Sequence, residues 1–201
     1  AMRFTGHLDL ILTWERTFRR AGIPLAYSEG FSPRPVLNMA APLPLGYTST
    51  AEIGDFWLSE LTSPDNFQSS LEKSLPPGLI IHEVPDIEDI HSSKLPALAE
   101  ASVYEIELKS DFPDLNKKIE EILRSEELYR ERKGKRYDLR PLIKSISLAD
   151  NPTSKLPVLR FTLTTQPGAT GRPDEVLRAL EIPPHDTKIC RTQIILKEGA
   201  E

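Results

Sequence analysis

Val103-Tyr104-Glu105-Ile106-Glu107-Leu108 alternates apolar and charged side chains, and a period of two predicts a half-buried strand. The segments C-terminal to this strand decide the architecture. Pro113 to Ser125 carries Leu115, Ile119, Ile122 and Leu123 at helical spacing. Leu128 to Lys133 and Lys135 to Arg140 read as strand arms around Gly134, and Ile143 to Leu148 and Val158 to Thr164 as two further strands. Arg172-Pro173-Asp174-Glu175 opens a helix that continues through Val176, Leu177 and Leu180, with proline at a first-turn position that needs no N–H. Thr187 to Leu196 closes as a strand. The succession approximates strand-helix-strand-strand-helix-strand, the split βαβ order of a ferredoxin-like sandwich.

Upstream the same order is legible in a reduced form. Residues 85–101 are a polar, acidic connection holding Asp86, Glu88, Asp89 and Glu100, and they divide the chain into an N-terminal half, 1–84, and a C-terminal half, 102–201. In the first half, Gly6 to Ala21 reads as a helix with Leu8, Ile11, Leu12, Glu15 and Phe18 on one face. Thr5 is its expected N-cap, and Gly22 with Pro24 ends it. Val36 to Ala41 and Ala51 to Ser59 read as strands, Ser63-Pro64-Asp65 starts a helix through Phe67, Leu71 and Leu75, and Leu79 to Val84 reads as a strand. Arg3-Phe4 is then the end of a truncated first strand. The expected fold is α+β: two tandem ferredoxin-like halves with antiparallel sheets and helices packed on one face of each.

Composition narrows the classes. The 201 residues include 25 basic and 30 acidic side chains, giving a net charge of −5, and 39% are apolar. No apolar run approaches the length of a membrane-spanning helix, and no basic-then-apolar leader pattern opens the chain, so a soluble cytoplasmic protein with no membrane partner is expected. The lone Cys190 excludes a disulfide framework and a thiolate metal cluster, and lies in an apolar strand where it reads as inert. Proline is in excess, at about 9% against a usual ~5%. Pro24, Pro33, Pro35, Pro42 and Pro44 concentrate between the first helix and the strand from Ala51.

Two segments carry candidate binding chemistry. In Tyr27-Ser28-Glu29-Gly30-Phe31-Ser32-Pro33-Arg34-Pro35, each proline pushes the residue before it toward extended backbone, so Arg34 sits on a stiffened stretch. A planar guanidinium held this way suits phosphate or carboxylate capture, with Tyr27 and Phe31 as stacking faces. The same residues also fit a loop in which Arg34 caps a helix end and the aromatics join the core. The second segment, Arg130 to Lys144, holds Arg130, Arg132, Lys133, Lys135, Arg136, Arg140 and Lys144 against Glu131 and Asp138, a local charge of +5. On a hairpin such a segment makes a basic stripe for a phosphate backbone, or a solvated hairpin with cross-strand Arg–Asp pairs.

Other signals are thinner. His7, His82, His91 and His185 lack metal-ligand spacing, and neither a metal nor another cofactor is expected. His7 at the helix start beside Arg3, and Arg172 before the later helix, are candidates for a loop or helix-start site. Gln166-Pro167-Gly168-Ala169-Thr170-Gly171-Arg172-Pro173 leads into that helix without being a Walker loop or a dinucleotide fingerprint, and Asp174 and Glu175 already occupy the positive helix end.

His7-Leu8-Asp9-Leu10, the helix end Arg19-Arg20-Ala21-Gly22, the Tyr27 to Pro35 run, and Pro42-Leu43-Pro44-Leu45-Gly46-Tyr47-Thr48-Ser49 with Ala51-Glu52 together resemble the bacterial radical SAM-linked protein family. Leu75-Pro76-Pro77-Gly78, Tyr137-Asp138-Leu139-Arg140-Pro141-Leu142 and Arg172-Pro173-Asp174-Glu175-Val176-Leu177 are similar to the same family, so the resemblance spans nearly the whole chain. That family is a domain of unknown function fused to, or encoded beside, a subset of radical SAM proteins. Its members usually open with a basic strand ahead of the Arg3-Phe4 equivalent, and Val36 stands where they often carry lysine. The resemblance implies a partner or substrate-presenting module beside a radical SAM protein and assigns no reaction; the leading expectation is a non-catalytic accessory module working with that enzyme. In the RNA-binding version of this expectation, Arg34, Tyr27 and Phe31 hold a nucleotide or partner segment, and Lys133, Lys135, Arg136 and Arg140 track phosphates. The alternatives are an RNA-modifying or RNA-cleaving enzyme using His7 or Asp138 as acid or base, and a protein-only scaffold docked through the proline loop. The expected fold also resembles that of tRNA pseudouridine synthases and CRISPR-type endoribonucleases, but no synthase motif around a catalytic aspartate is visible.

Overall fold

A computed structural model describes residues 2–85, 94–150 and 156–197. In chain order the elements are α1 (His7–Ala21), β1 (Leu37–Met39), β2 (Thr48–Ser49), β3 (Gly54–Phe56), α2 (Pro64–Glu72), α3 (Leu95–Leu98), β4 (Ala99–Leu108), α4 (Leu115–Arg124), β5 (Tyr129–Arg132), β6 (Lys135–Asp138), β7 (Ile143–Ala149), β8 (Val158–Gln166), β9 (Ala169–Thr170), α5 (Pro173–Ala179) and β10 (Thr187–Leu196). The chain is a mixed α and β protein whose sheets, among the described residues, are antiparallel except for one parallel strand pair. It divides into two units. One takes the described residues of 1–46 and 53–95; the other takes 47–52 and those of 96–201. His91 lies outside the described residues.

In the first unit, Phe18, Ile23, Leu25, Phe67 and Leu71 form the buried cluster, with Trp14, Phe56, Leu58, Ile81 and Val84 packed against it. The Phe18 and Phe56 rings meet at 4.6 Å and Trp14 lies 5.5 Å from Phe56, so α1 and β3 share one aromatic seam. Helix α1 ends as its sequence dictates: Gly22 takes φ 69°, and the N–H groups of Gly22 and Ile23 reach back to Arg19 O and Phe18 O. Its start differs from expectation. Gly6, not Thr5, is the N-cap, while the Thr5 hydroxyl turns to the Met2 sulfur. Ser63 caps α2 through the Asn66 N–H, with Pro64 at its first position.

Two expected strands of this unit are absent. Met2–Phe4 form a 3-10 turn, because Arg3 closes on Gly46 in both directions: its Nε donates to Gly46 O, and Gly46 N–H donates to Arg3 O. Leu79 to Val84 forms no strand and pairs with none among the described residues; Ile81 and Val84 are half-buried by side-chain packing on the α1–α2 cluster, leaving Ile80 in solvent. The apolar content of that stretch serves packing, not a ladder. The two strands paired here, β1 and β3, are antiparallel and three residues long.

The second unit holds the main sheet, ordered β2-β10-β4-β8-β7. Its four long strands pair antiparallel, so β4 runs parallel to β7 across β8, and β8 parallel to β10 across β4. Helix α4 makes the first of these crossovers and α5 the second, which is the split βαβ connection. Ile106, Leu159, Phe161 and Leu163 from the sheet are fully buried, as are Val176, Leu177, Leu180 and Ile182 from α5 and its exit. The segment before α5 is a tight hairpin: Pro167-Gly168 turn between β8 and β9, with Gly168 at φ 81°. Gly171 then passes so close to Leu142 O that a Cβ there would lie 2.8 Å from it. Those glycines serve a turn and a close approach.

On the edge of β10 lies β2, a parallel neighbour, registering Thr48 with Cys190 and Ser49 with Arg191. Strand β10 buries Thr187, Ile189 and Arg191, then shifts register between Arg191 and Gln193, so that Ile194 resumes the buried side. Arg191 is 1% exposed, and its Nε and a terminal nitrogen both donate to Glu52 Oε1 at 2.9 and 2.7 Å. Among the described residues no helix is long and apolar enough to cross a membrane.

Candidate functional site

The basic segment folds as a two-residue hairpin. Lys133 and Gly134 both take positive φ, 49° and 74°, as the type I′ turn between right-twisted strands requires. Tyr129 registers with Asp138, Arg130 with Tyr137, Glu131 with Arg136, and Arg132 with Lys135. Cross-strand partners share a face, so Arg130, Arg132, Lys135 and Tyr137 lie on one side, and Tyr129, Glu131, Arg136 and Asp138 on the other.

The root of this hairpin is fixed. Asp138 Oδ1 accepts from the N–H groups of Leu128 and Arg140 at 2.8 and 2.9 Å. The Arg140 guanidinium donates to Leu123 O, Ser125 O and Ile143 O, joining the end of α4 to the start of β7. Arg130 stands 3.7 Å from the buried Glu175 of α5. Burial, reinforced by the charges of Glu175 and Asp174, pushes the Tyr137 phenol above its ordinary range.

The tip is different. Arg132, Lys133, Lys135 and Arg136 are exposed, and none forms an ion pair with a described residue. Glu131 registers opposite Arg136, yet the Arg136 guanidinium lies 3.9 Å above the ring centre of Tyr129, its diagonal neighbour on the same face. Elsewhere in this unit cations find carboxylates: Lys118 with Glu181, Lys144 with Glu100, Arg160 with Glu105, and Lys188 with Glu107. Unmatched positive charge gathers at one projecting turn. Cross-strand Arg–Asp pairs do not form, and Arg140 stands apart from the exposed group because three carbonyls hold it.

In the first unit the Tyr27–Pro35 loop closes on itself. Tyr27 bridges Pro35, Ser28 N–H donates to Arg34 O at 2.8 Å, and Arg34 N–H donates to the Ser28 hydroxyl at 3.1 Å. Below that neck, Val36 N–H bonds Ala26 O and Ala26 N–H bonds Trp57 O, which ties the loop to the β3 side of the unit. Gly30 takes φ 117° at the tip. Tyr27 is 60% exposed and Phe31 is fully exposed, so neither ring joins the core. The Arg34 side chain is exposed and has no hydrogen-bond or ion-pair partner among the described residues. The loop therefore places all three candidates in solvent on one pinched scaffold.

Of the helix-start candidates, Arg3 holds Gly46, while His7 is the first residue of α1 with no polar partner among the described residues. Arg172 belongs to the second unit, where its Nε donates to Asp174 Oδ1 at 3.0 Å. His82 is exposed, and His185 stands 3.7 Å from Asp186. Among the described residues no three His, Cys, Asp or Glu side chains gather where a metal ion would sit.

Two functional-looking features escaped the sequence. One is the Tyr129–Arg136 stack, whose signal is the two-residue loop at Lys133-Gly134: once the turn is I′, position 129 falls diagonal to 136. The other is a polar knot at α5. Arg172, the N-cap residue, makes no side-chain capping bond. Instead Tyr47 from the β2 segment donates its hydroxyl to Asp174 Oδ1 at 3.1 Å and accepts from Asp174 N–H at 3.2 Å. Arg178 returns to both Asp174 and Glu175. With its charges matched and its polar atoms bonded, the knot holds structure together.

A search of curated proteins returns no match. A family model matches residues 1–173 and stops at the first residue of α5, so that helix and β10 lie past the matched stretch. With that much of the chain covered, the protein belongs to the family of uncharacterised proteins conserved in bacteria that is designated DUF2344.

Proposed function

We propose that this chain is a non-catalytic accessory module that binds RNA and presents it to a radical SAM enzyme in the bacterial cytoplasm. The observation that carries the RNA reading is the hairpin tip, where Arg132, Lys133, Lys135 and Arg136 project without carboxylate partners from a chain of net charge −5. Such a turn is an electrostatic footprint for phosphates on a body that repels them elsewhere. The exposed Tyr27, Phe31 and Arg34 loop supplies a second contact surface of the same chemistry. A non-catalytic role is supported by Asp138, whose Oδ1 is engaged by two main-chain N–H groups at the hairpin root. The radical SAM partner rests on the sequence resemblance. The split βαβ crossovers of the second unit support a tandem ferredoxin-like ancestry, with α1, β1, β3 and α2 as the reduced counterpart.

Filter binding of small RNAs across a salt series tests the RNA reading. The expected result is an affinity that falls linearly with the logarithm of salt. A triple Arg132→Ala, Lys133→Ala, Lys135→Ala variant should flatten that slope by about 2 if the strand is single, at ~0.7 per phosphate contact. Absence of binding at low salt, or an unchanged slope in the triple variant, overturns the proposal. Copurification with a radical SAM protein encoded beside the gene tests the partnership, which fails if no complex forms and the enzyme's activity is unaffected.

A further inference from the structure

Resting on that RNA reading, we infer that the Tyr129–Arg136 stack is a base-stacking platform, and that the RNA this hairpin selects is unpaired. The guanidinium carbon lies over the phenol ring, 3.9 Å from its centre. Tyr129 covers part of the guanidinium, and Arg136, being exposed, leaves the rest open to solvent. A guanidinium is planar and weakly hydrated, so a nucleobase can extend the pile by one layer at small desolvation cost.

The rest of the hairpin divides the remaining work. Arg132 and Lys135 lie on the opposite face and Lys133 at the turn, so the phosphate-binding charges flank the stack without sharing its face. On the stacking face itself, Arg136 is accompanied by Glu131 and Asp138, which repel a phosphate but not a neutral base. A duplex keeps its bases stacked on one another and offers only its backbone; a single strand offers both the backbone and a free π-face. The asymmetry of the hairpin matches the second.

The experiment compares three probes at low salt: a short mixed-sequence RNA strand, the same strand annealed to its complement, and the same backbone with abasic sites. The wild-type protein is expected to bind the intact single strand about tenfold more tightly than either of the others. Arg136→Lys keeps the charge and loses the plane, so it should erase that preference while leaving the salt slope for the single strand unchanged. Tyr129→Leu should do the same from the other layer of the stack. Equal binding of single strand and duplex by the wild type overturns the inference and leaves the RNA reading standing, as does a preference that both variants retain. No binding of any probe overturns the two together.

Discussion

Arg191 is the largest side chain closed off from water in the described residues, and its position is set by a local irregularity. The register shift after it lets the strand put a guanidinium on the buried side without displacing Ile194. Glu52 meets that charge with both carboxylate oxygens. Removing one member of such a pair leaves the other's desolvation less fully offset, so Glu52→Ala should cost up to about 3 kcal/mol. The check is urea unfolding, where the midpoint should fall while the denaturant slope stays constant. None of this was visible in the sequence. Arg191 occupies an alternating strand as an apparently outward-facing cation, and its partner lies 139 positions away. Arg140 misled in the same way: residue type marked it as a phosphate contact, whereas three main-chain carbonyls hold it at the end of α4. Tyr27, Phe31 and Arg34 were legible as a group because Pro33 and Pro35 restrict the backbone around Arg34 and Gly30 permits the turn between the aromatics.

Among the elements, α5 shows how a helix start can be completed from a distance. Burial, followed by the nearby Asp174 carboxylate and its hydrogen bond, pushes the Tyr47 phenol far above its ordinary value of 10.0. The folded chain therefore holds that proton more tightly than the unfolded chain does. Its contribution to stability is complete below about pH 10 and is lost as pH rises from there toward the folded value. Melting temperatures measured across the alkaline range should fall more steeply for the wild type than for Tyr47→Phe. At neutral pH that variant should be the less stable by about 1–2 kcal/mol, having lost two hydrogen bonds. Long elements of the second unit, β4, α4, β8 and β10, were readable because each carries many repeats of its own period. The first unit was harder. Its strands are three residues long, and Leu79 to Val84 has the composition of a strand but packs as a strap on an aromatic core.

For the whole molecule, the telling fact is that the second unit is not continuous in sequence. Residues 47–52 belong to it, although the chain on both sides belongs to the first. Those six residues supply the parallel edge strand, the Tyr47 bridge to α5 and the Glu52 carboxylate. A chain cut to 96–201 lacks all three. We expect it to lose cooperative thermal unfolding measured by near-ultraviolet circular dichroism, and to regain it when a peptide spanning 47–52 is added. A fragment that melts cooperatively by itself overturns this expectation. The boundary placed by sequence in the acidic stretch 85–101 marks a change of composition, which is what composition can show. A six-residue stretch of the second unit lying within the first unit's sequence leaves no such mark, because two strand residues are too few to set a period.

The same detour has a consequence in time. Ser49 leaves the ribosome 142 residues ahead of Arg191, whose carbonyl its hydroxyl will bind. At about 5–20 residues per second that gap is roughly 7–30 s. Throughout it the β2 segment waits without its neighbour, while the residues before and after it can already close around Phe18 and Phe67. The nascent chain can therefore close its first unit while residues 47–52 still await the last strand to be made.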